Sequence, residues 1–215
     1  MDGTYITGIR TAASAVLSAR LLSRPDARVA TVIGAGVQGR EHLKLLPLVR
    51  QLDRVNVCSL LVEDARKLAA RSDIAQPTQD VEAAVRESDI VCLATHSPVP
   101  VIEPEWVKPG AHITSVGYHP PSGELPTELA RRHRLFVETL DAFQPTPVGC
   151  GELAGLDTSS GTTLGAVVLG RTSGRTSATE ITVYKAMGIA MEDMVAANLV
   201  YLRAKRDGGG GMMVW

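Results

Sequence analysis

The chain has 215 residues, 45% of them hydrophobic and 21% charged, with a formal net charge of -1. This composition is typical of a globular protein and excludes a disordered chain. No basic excess is present to neutralise phosphates, so we expect no nucleic-acid partner. No apolar run reaches the roughly 18 residues of a membrane span, and the first residues lack a signal-peptide pattern, so we expect no membrane partner.

Three cysteines, Cys58, Cys92 and Cys150, are too widely spaced to form a C-x-x-C pair. An odd number at such spacings favours neither a zinc site nor a disulfide framework, and we expect no metal site. Cys58 and Cys92 lie within apolar runs and are predicted to be core residues. Reduced cysteines are typical of a reducing compartment, so the sequence predicts a cytoplasmic protein.

The first predicted element is a helix over residues 6–23, which ends before Pro25. Its apolar residues recur at the helical period and share one face. They are Ile6, Ile9, Ala13, Val16 and Leu17. A β-branched, apolar run at 28–33 follows and is predicted to be a buried parallel strand.

Strands and helices then alternate. Further strands are predicted at 55–61, 89–94, 112–117 and 135–138, and helices at 37–51, 63–71, 81–88 and 124–133. Pro47 is expected to kink or end the first of these helices. Such alternation is typical of βαβ units, so we predict an α/β fold with a Rossmann-type doubly wound parallel sheet over residues 26–140.

The regular alternation of strands and helices ends at about residue 141, where prolines and glycines are spread over a long irregular stretch. Loops of that length are usually functional or cross between domains. Helices are predicted at 164–169 and 189–206. Residues 181–184 resemble a strand, but Ser177 and Glu180 also fit a capping box, so a helix is the alternative there.

A G-x-G-x-x-G motif at residues 34–39 directly follows a predicted strand and opens a predicted helix. Gly34 permits a tight turn, Gly36 lets the backbone approach a diphosphate, and Gly39 lets helix and strand pack closely. Free N–H groups at the start of the helix bind phosphates. The motif therefore predicts a dinucleotide site; the alternative is a turn that binds nothing.

The identity of the dinucleotide stays open. An acid at the end of the second strand is typical of NAD sites, and an arginine there accommodates the extra phosphate of NADP. Residues 58–62 carry neither, and Glu63 equally fits an ordinary acid at a helix start. The sequence therefore predicts NAD or NADP as the cofactor.

Two loops follow strands at the edge of the sheet where ligands bind. After strand 89–94, the hydroxyls of Thr95 and Ser97 suit the ribose beside the nicotinamide, and His96 is either an acid/base or an exposed loop residue. After strand 112–117, Tyr118 and His119 can donate protons. The alternative for this second loop is a segment made rigid by two following prolines.

Arg10 is a candidate ligand-binding residue. It falls in the first turn of the predicted helix, where a cation opposes the helix dipole unless an anion offsets it. Arginine binds carboxylates well because it can form two parallel hydrogen bonds. On position alone, a side chain that extends into solvent is the favoured interpretation of Arg10; the alternatives are a carboxylate ligand or a pair with an acid such as Glu192 or Asp193.

Taken together, these segments resemble the ornithine cyclodeaminase/mu-crystallin family. The matching segments run from Met1 to Thr7 and over residues 9–13, 33–39, 94–98, 116–125, 174–175, 180–185 and 188–193. Their order is preserved along almost the whole chain. The resemblance implies NAD(P)-dependent chemistry at the carbon of a small amino or imino acid.

The resemblance also implies roles for individual residues. Arg10 would bind the substrate carboxylate; the proton-donor role of Tyr118 or His119 rests on their position alone, not on the resemblance. The residues expected to line the cofactor site are Gly34, Gly36, Val37, Gln38, Gly39, Thr95, Ser97, Val116 and Gly117.

Two departures from the family pattern limit what the resemblance implies. Family members extend roughly a hundred residues, about one small domain, upstream of Met1, and that part supplies a catalytic lysine and dimer contacts. Tyr118 stands where the cyclodeaminases have an aspartate. Ornithine cyclisation is therefore not expected. Residues 1–25 and 141–215 are predicted to be the remnant of a second, smaller domain.

The leading function predicted from the sequence is an NAD(P)-dependent oxidoreductase of the ketimine reductase or amino-acid dehydrogenase type. The alternative is a non-catalytic NAD(P)-binding protein or ligand carrier. A chain that lacks half of a substrate domain would expose apolar surface, so we expect a homo-oligomer, with a symmetric dimer as the simplest form.

Overall fold

The computed structural model describes residues 2–211, and Met1, the first residue of the resemblance, lies outside them. One sheet contains eight strands: β1 Val29–Ile33, β2 Arg54–Cys58, β3 Ala75–Pro77, β4 Ile90–Leu93, β5 His112–Ser115, β6 Arg134–Val137, β7 Gly161–Thr163 and β8 Thr182–Lys185. The α-helices are α1 Gly3–Leu22, α2 Val37–Leu45, α3 Val62–Ala69, α4 Val81–Glu87, α5 Thr127–Arg132, α6 Leu164–Val168 and α7 Ala190–Arg206.

The strand order is β3-β2-β1-β4-β5-β8-β6-β7, and every pairing is parallel. The predicted α/β, doubly wound parallel sheet is confirmed. The chain starts in the middle of the sheet at β1, builds outward through β2 and β3, and then returns to β4 on the other side of β1. This reversal creates a topological switch point, where parallel sheets bind ligands at the carboxyl ends of their strands.

Strand β8 comes late in the sequence yet lies inside the sheet. Thr182 pairs with His112 of β5 on one side and with Arg134 of β6 on the other. The strand predicted at 181–184 is therefore correct, and the capping-box helix is wrong. The sheet contains strands from both sides of residue 140, and the predicted division into residues 26–140 and a remnant stays a prediction.

Two of the sheet strands were not predicted. β3 contains only three residues and ends in a proline, and β7 begins with a glycine and is only partly buried. Neither has the apolar or alternating pattern that identifies a strand. Both lie at an edge of the sheet, where a single neighbour and little burial place weak demands on the sequence.

Helix α1 begins three residues earlier than predicted because Asp2 caps it. The Asp2 carboxylate accepts hydrogen bonds from the backbone N–H groups of Thr4 and Tyr5. The predicted apolar face is only partly buried, since Leu17 remains 38% exposed. The buried residues are mostly small: Gly8, Thr11, Ala12, Ala15, Val16, Ser18, Ala19 and Leu22. Small side chains let α1 approach the sheet and α2 closely.

The two faces of the sheet are both covered, which explains the nearly continuous apolar strands. Val32 and Val57 pack with residues of α2 and α3 on one face, and Val91 and Ile113 pack with α4 and α5 on the other. The predicted burial of Cys58 and Cys92 is confirmed, and Cys150 is buried as well. The cytoplasmic location predicted from these cysteines stays a prediction.

Within residues 2–211, no helix combines the length and apolar character needed to cross a membrane. The same residues include no cluster of three or more His, Cys, Asp or Glu side chains placed to hold a metal ion.

A buried imidazole joins α1 to the inserted strand. His112 is fully buried, and its ring nitrogens lie 3.0 Å from Ser18 Oγ and 2.9 Å from Thr182 Oγ1. Burial, reinforced by the positive charge of Arg175, lowers the pKa of His112 to about 3. The ring is therefore neutral in the folded protein at every pH at which an exposed histidine titrates.

We expect stability to fall in mild acid because of this ring. The unfolded chain takes up a proton near the ordinary histidine pKa of about 6.5, whereas the folded chain does not. The free energy of unfolding then decreases by about 1.4 kcal/mol per pH unit for each such histidine. The free energy of unfolding, measured in urea at several pH values between about 7 and 5, should depend less on pH in His112→Gln than in the parent.

The pH dependence that remains in this variant is assigned to His42, since burial lowers the pKa of His42 to about 4, and to His133, whose pKa burial also lowers. His119→Gln, at an exposed loop position, is the control and should keep the pH dependence of the parent. An unchanged pH dependence in His112→Gln would contradict this account.

Candidate functional site

A cleft of about 700 Å³ opens at the carboxyl ends of β1, β4 and β5. Its lining combines the glycine turn, the first turns of α1 and the loops that follow β4 and β5. The lining residues are Gly3, Thr4, Thr7, Gly8, Arg10, Thr11, Gly36, Val37, Gln38, Ala94, Thr95, His96, Val116, Gly117, Tyr118 and Met187. The cleft therefore lies at the switch point of the sheet.

The three glycines of the turn have separate roles. Gly34 has φ 111°, and a Cβ there would overlap the carbonyl oxygen of Ala94; a Cβ on Gly39 would overlap the carbonyl of Gly34. These two glycines let β1, α2 and the β4 loop approach each other. Gly36 has open space where a side chain would be. The turn therefore holds its shape and leaves room for a ligand.

Helix α2 begins at this turn without a capping side chain, since its N-cap is Gly36. Its first N–H groups are thus available for phosphate oxygens. The side-chain oxygen of Gln38 is buried beside the cleft and has no hydrogen-bond partner among residues 2–211. Open space, free donors and an unpaired acceptor all fit a dinucleotide.

Glu124 fixes the two loops on the far side of the cleft. It is 1% exposed, and its Oε2 accepts hydrogen bonds from the Thr95 N–H at 2.6 Å and the Thr95 hydroxyl at 2.7 Å. Its Oε1 accepts from the Ser115 hydroxyl at 2.9 Å and from the Gly117 N–H at 2.7 Å. One carboxylate therefore holds the loops after β4 and β5 together.

Lys185, at the end of β8, extends this network. Its Nζ donates to Ser115 Oγ at 3.2 Å, to the Gly117 carbonyl oxygen and to Glu152 Oε1 at 2.8 Å. Lys185 is fully buried and Glu152 is 2% exposed. Two carboxylates and one ammonium group, all inside the protein, thus support the floor of the cleft.

The predicted cofactor residues are brought together only in part. Val116 and Gly117 line the cleft, as does Thr95, although the Thr95 hydroxyl donates to Glu124 and is not free. Ser97 donates its hydroxyl to the Val99 carbonyl oxygen at 2.6 Å. The predicted roles of these residues in cofactor binding stay predictions.

Arg10 lies in the cleft but not in the first turn of its helix, because α1 starts at Gly3. The expectation based on the helix dipole was therefore wrong. The pairing with Glu192 and Asp193 is found: Nη1 lies 3.2 Å from Glu192 Oε2, and Nε lies 3.1 Å from Asp193 Oδ1. The side chain of Arg10 is 12% exposed.

A third carboxylate, Glu138, lies next to this pair. Its Oε2 accepts from the N–H groups of Met187 and Gly188 at 3.3 and 2.8 Å. Burial, together with the nearby Glu192 carboxylate, raises the pKa of Glu138 to about 7. The region around Arg10 therefore holds more acidic groups than basic ones and binds a proton near neutral pH.

Tyr118 and His119, the predicted proton donors, differ in position. Tyr118 lines the cleft, and its hydroxyl donates to the Pro147 carbonyl oxygen at 2.8 Å. His119 is exposed, and its backbone pairs with Ser122. His96 lines the cleft and is also exposed. The proposed catalytic roles of Tyr118 and His119 stay predictions.

A model of the ornithine cyclodeaminase/mu-crystallin family matches residues 1–208. The chain belongs to this family. It is 36% identical over 204 residues to ketimine reductase mu-crystallin from Mus musculus, a match that covers 94% of the chain and 63% of the mouse protein. The chain thus spans less than two thirds of that relative.

Solved structures of the family have the same fold. The complex of Thermococcus litoralis Delta(1)-pyrroline-2-carboxylate reductase with NADH and L-proline superposes with a TM-score of 0.90 at 30% identity, covering 99% of this chain and 69% of the other. An archaeal alanine dehydrogenase dimer with bound NAD gives a TM-score of 0.86 at 27% identity, covering 100% and 69%.

Removal of the Glu124 carboxylate is expected to disrupt the cleft. Glu124→Ala leaves the four donors of Thr95, Ser115 and Gly117 unpaired, and one such buried group costs about 1–3 kcal/mol. We expect the free energy of unfolding in urea to fall by about 3 kcal/mol or more.

The matched control is Glu128→Ala in α5. Glu128 forms exposed ion pairs with Arg131 and Arg132, and such pairs contribute about 0–1 kcal/mol. Equal losses of stability in the two variants would contradict the proposed role of Glu124.

Proposed function

We propose that the chain binds a nicotinamide dinucleotide, NAD or NADP, across the glycine turn and transfers a hydride to or from a small amino or imino acid. The observation that carries this proposal is the single cleft that joins Gly36, at the free start of α2, with Arg10 on α1. Phosphates suit the first end and a substrate carboxylate suits the second.

The relatives support the same chemistry. One is named a ketimine reductase, and a solved structure of another holds NADH and L-proline together. When bound, the nicotinamide supplies or accepts a hydride at the α-carbon of the substrate. The chain's contribution is to hold the diphosphate on the N–H groups at the start of α2 and to align the substrate through Arg10.

The predicted alternative, a non-catalytic NAD(P)-binding protein or ligand carrier, also has a specific observation in its favour. Glu192 and Asp193 already bind the Arg10 guanidinium, and Glu138 lies beside them. A ligand carboxylate must approach against these acids. The Tyr118 hydroxyl, a proposed proton donor, is engaged with a backbone carbonyl.

A single-turnover experiment distinguishes the two functions. Protein loaded with one equivalent of NADPH or NADH is mixed with Delta(1)-pyrroline-2-carboxylate, and loss of the reduced nicotinamide absorbance is followed. We expect oxidation by the parent. Binding without oxidation supports the carrier, and failure to bind either dinucleotide overturns both functions.

Two glycine variants are the controls for the cofactor site. Gly36→Val fills the open space above the turn and should abolish dinucleotide binding, measured by fluorescence titration. Gly165→Val introduces the same side chain at an exposed, unobstructed glycine of α6 and should bind like the parent.

The role of Arg10 is tested with two variants. A hydrogen bond to a charged group contributes about 1.5–3 kcal/mol, so Arg10→Ala should weaken imino-acid binding roughly 10- to 100-fold and leave NADPH binding unchanged. Asp193→Asn removes a competing acid and should not weaken imino-acid binding. If both variants weaken it equally, Arg10 serves only to anchor α7.

We also propose that the chain forms a homodimer through α7. This helix has no buried residue and exposes a set of large apolar side chains: Met191, Met194, Val195, Leu199, Val200, Tyr201 and Leu202. Exposed apolar patches of this kind usually find a partner.

Light scattering of the parent should then give a dimer mass, and Leu199→Glu should give a monomer. Lys205→Glu adds a negative charge at another exposed position of α7 and should leave the dimer intact. A monomeric parent at all concentrations would contradict the dimer.

A further inference from the structure

A second cavity, of about 300 Å³, lies on the other side of the glycine turn from the main cleft. Gly36 and Val37 line both cavities, so the two meet at the turn. The second cavity lies between α2 and α3, and α3 directly follows β2. Its lining residues are Ala35, Gly36, Val37, Arg40, Asp64, Lys67, Leu68 and Arg71.

This position is the adenosine side of a dinucleotide bound as proposed above. A dinucleotide with its diphosphate at Gly36 and its nicotinamide near Gly117 extends its other half toward β2. The α2–α3 cavity is therefore the space next to the adenosine ribose.

The cavity has an excess of positive charge. Arg40 faces it from α2, Lys67 from α3 and Arg71 from the turn after α3, whereas Asp64 is the acid in its lining. Asp64 Oδ1 lies 3.9 Å from Lys67 Nζ, a weak exposed contact. Among residues 2–211, Arg71 forms no ion pair. The cavity lining therefore carries three basic side chains and one acidic side chain, Asp64.

The neighbouring charges do not remove this excess. Glu41, the acid behind Arg40, is buried and lies 3.1 Å from Arg40 Nε and 3.9 Å from Lys44 Nζ. Only the Nε side of the Arg40 guanidinium is engaged in this pair, so its outer edge remains available to a ligand. A third cavity, of about 480 Å³, adjoins the α2–α3 cavity and is lined by Arg40, Lys44 and Arg71 as well as Glu41.

The end of β2 lacks the acid that usually binds the ribose hydroxyls of NAD. Residues 58–61 are Cys58, Ser59, Leu60 and Leu61, and the two leucines are 98% and 61% exposed. A carboxylate here would hydrogen-bond the free 2′-hydroxyl and repel a phosphate. None of the four side chains at residues 58–61 is a carboxylate that would repel a phosphate.

We propose that the α2–α3 cavity binds the 2′-phosphate of NADP through Arg40, Lys67 and Arg71, and that the chain selects NADP over NAD. This inference rests on the proposed dinucleotide site. A phosphate monoester carries close to two negative charges at neutral pH, which matches the charge excess of the cavity. Arginine supplies paired donors to its oxygens, and lysine adds a point charge.

The test is a fluorescence titration of the full chain with NADPH and with NADH. The parent should bind NADPH at least tenfold more tightly than NADH, and added salt should reduce this ratio because it screens exposed charges. The double variant Lys67→Ala/Arg71→Ala should lose most of the NADPH preference and keep its affinity for NADH. Adenosine 2′,5′-bisphosphate should compete better than 5′-AMP with the parent only.

Arg66→Ala is the matched control. Arg66 belongs to α3, as Lys67 does, lies outside the cavity lining and pairs with Glu63, so its loss should leave both affinities unchanged. Equal affinities of the parent for NADPH and NADH, or equal losses of both in the double variant, overturn the phosphate site and leave the dinucleotide site standing. Failure of the parent to bind either dinucleotide overturns the proposed function as well.

Discussion

The buried carboxylate of Glu124 holds the cleft in one shape, because its two oxygens bind groups from both loops that form the far wall. Lys185 donates a hydrogen bond to the Gly117 carbonyl oxygen of the same wall and forms an ion pair with Glu152. A buried carboxylate is costly unless its oxygens are hydrogen-bonded, and both oxygens of Glu124 have such partners. This arrangement therefore favours one loop conformation strongly over others, and a ligand meets a cleft that is already formed.

The same network explains why the C-terminal part of the chain belongs to the site. Lys185 is the last residue of β8, which lies between β5 and β6 although some 45 residues of chain separate it from β6. His112 ties this strand to α1 through Thr182 and Ser18. The cleft wall, the central sheet and the helix that carries Arg10 therefore depend on one late strand.

Local sequence patterns were sufficient to predict the inner strands of the sheet and the glycine turn. The β-branched run before Gly34 and the helix after it obey short-range rules, and the structure follows them. Short edge strands such as β3 lack such a pattern. The buried face of α1 was predicted only in part. Close packing on a sheet selects small residues such as Ala12 and Ala15 and not the largest apolar ones. Partners of Lys185 lie 33 to 70 residues away, a distance that no local pattern encodes.

Helix α7 is attached to the rest of the protein mainly at its first turn, where Glu192 and Asp193 hold Arg10. Its 17 residues extend roughly 25 Å from that point, with no buried side chain. A ligand carboxylate that took the Nε or Nη1 donors of Arg10 would replace contacts that anchor the helix. Occupancy of the cleft and the position of α7 would then be thermodynamically linked, and the linkage would be reciprocal. If a ligand at Arg10 changes the affinity of the far end of α7 for another molecule, that molecule changes the affinity of Arg10 for its ligand by the same factor, without touching the cleft.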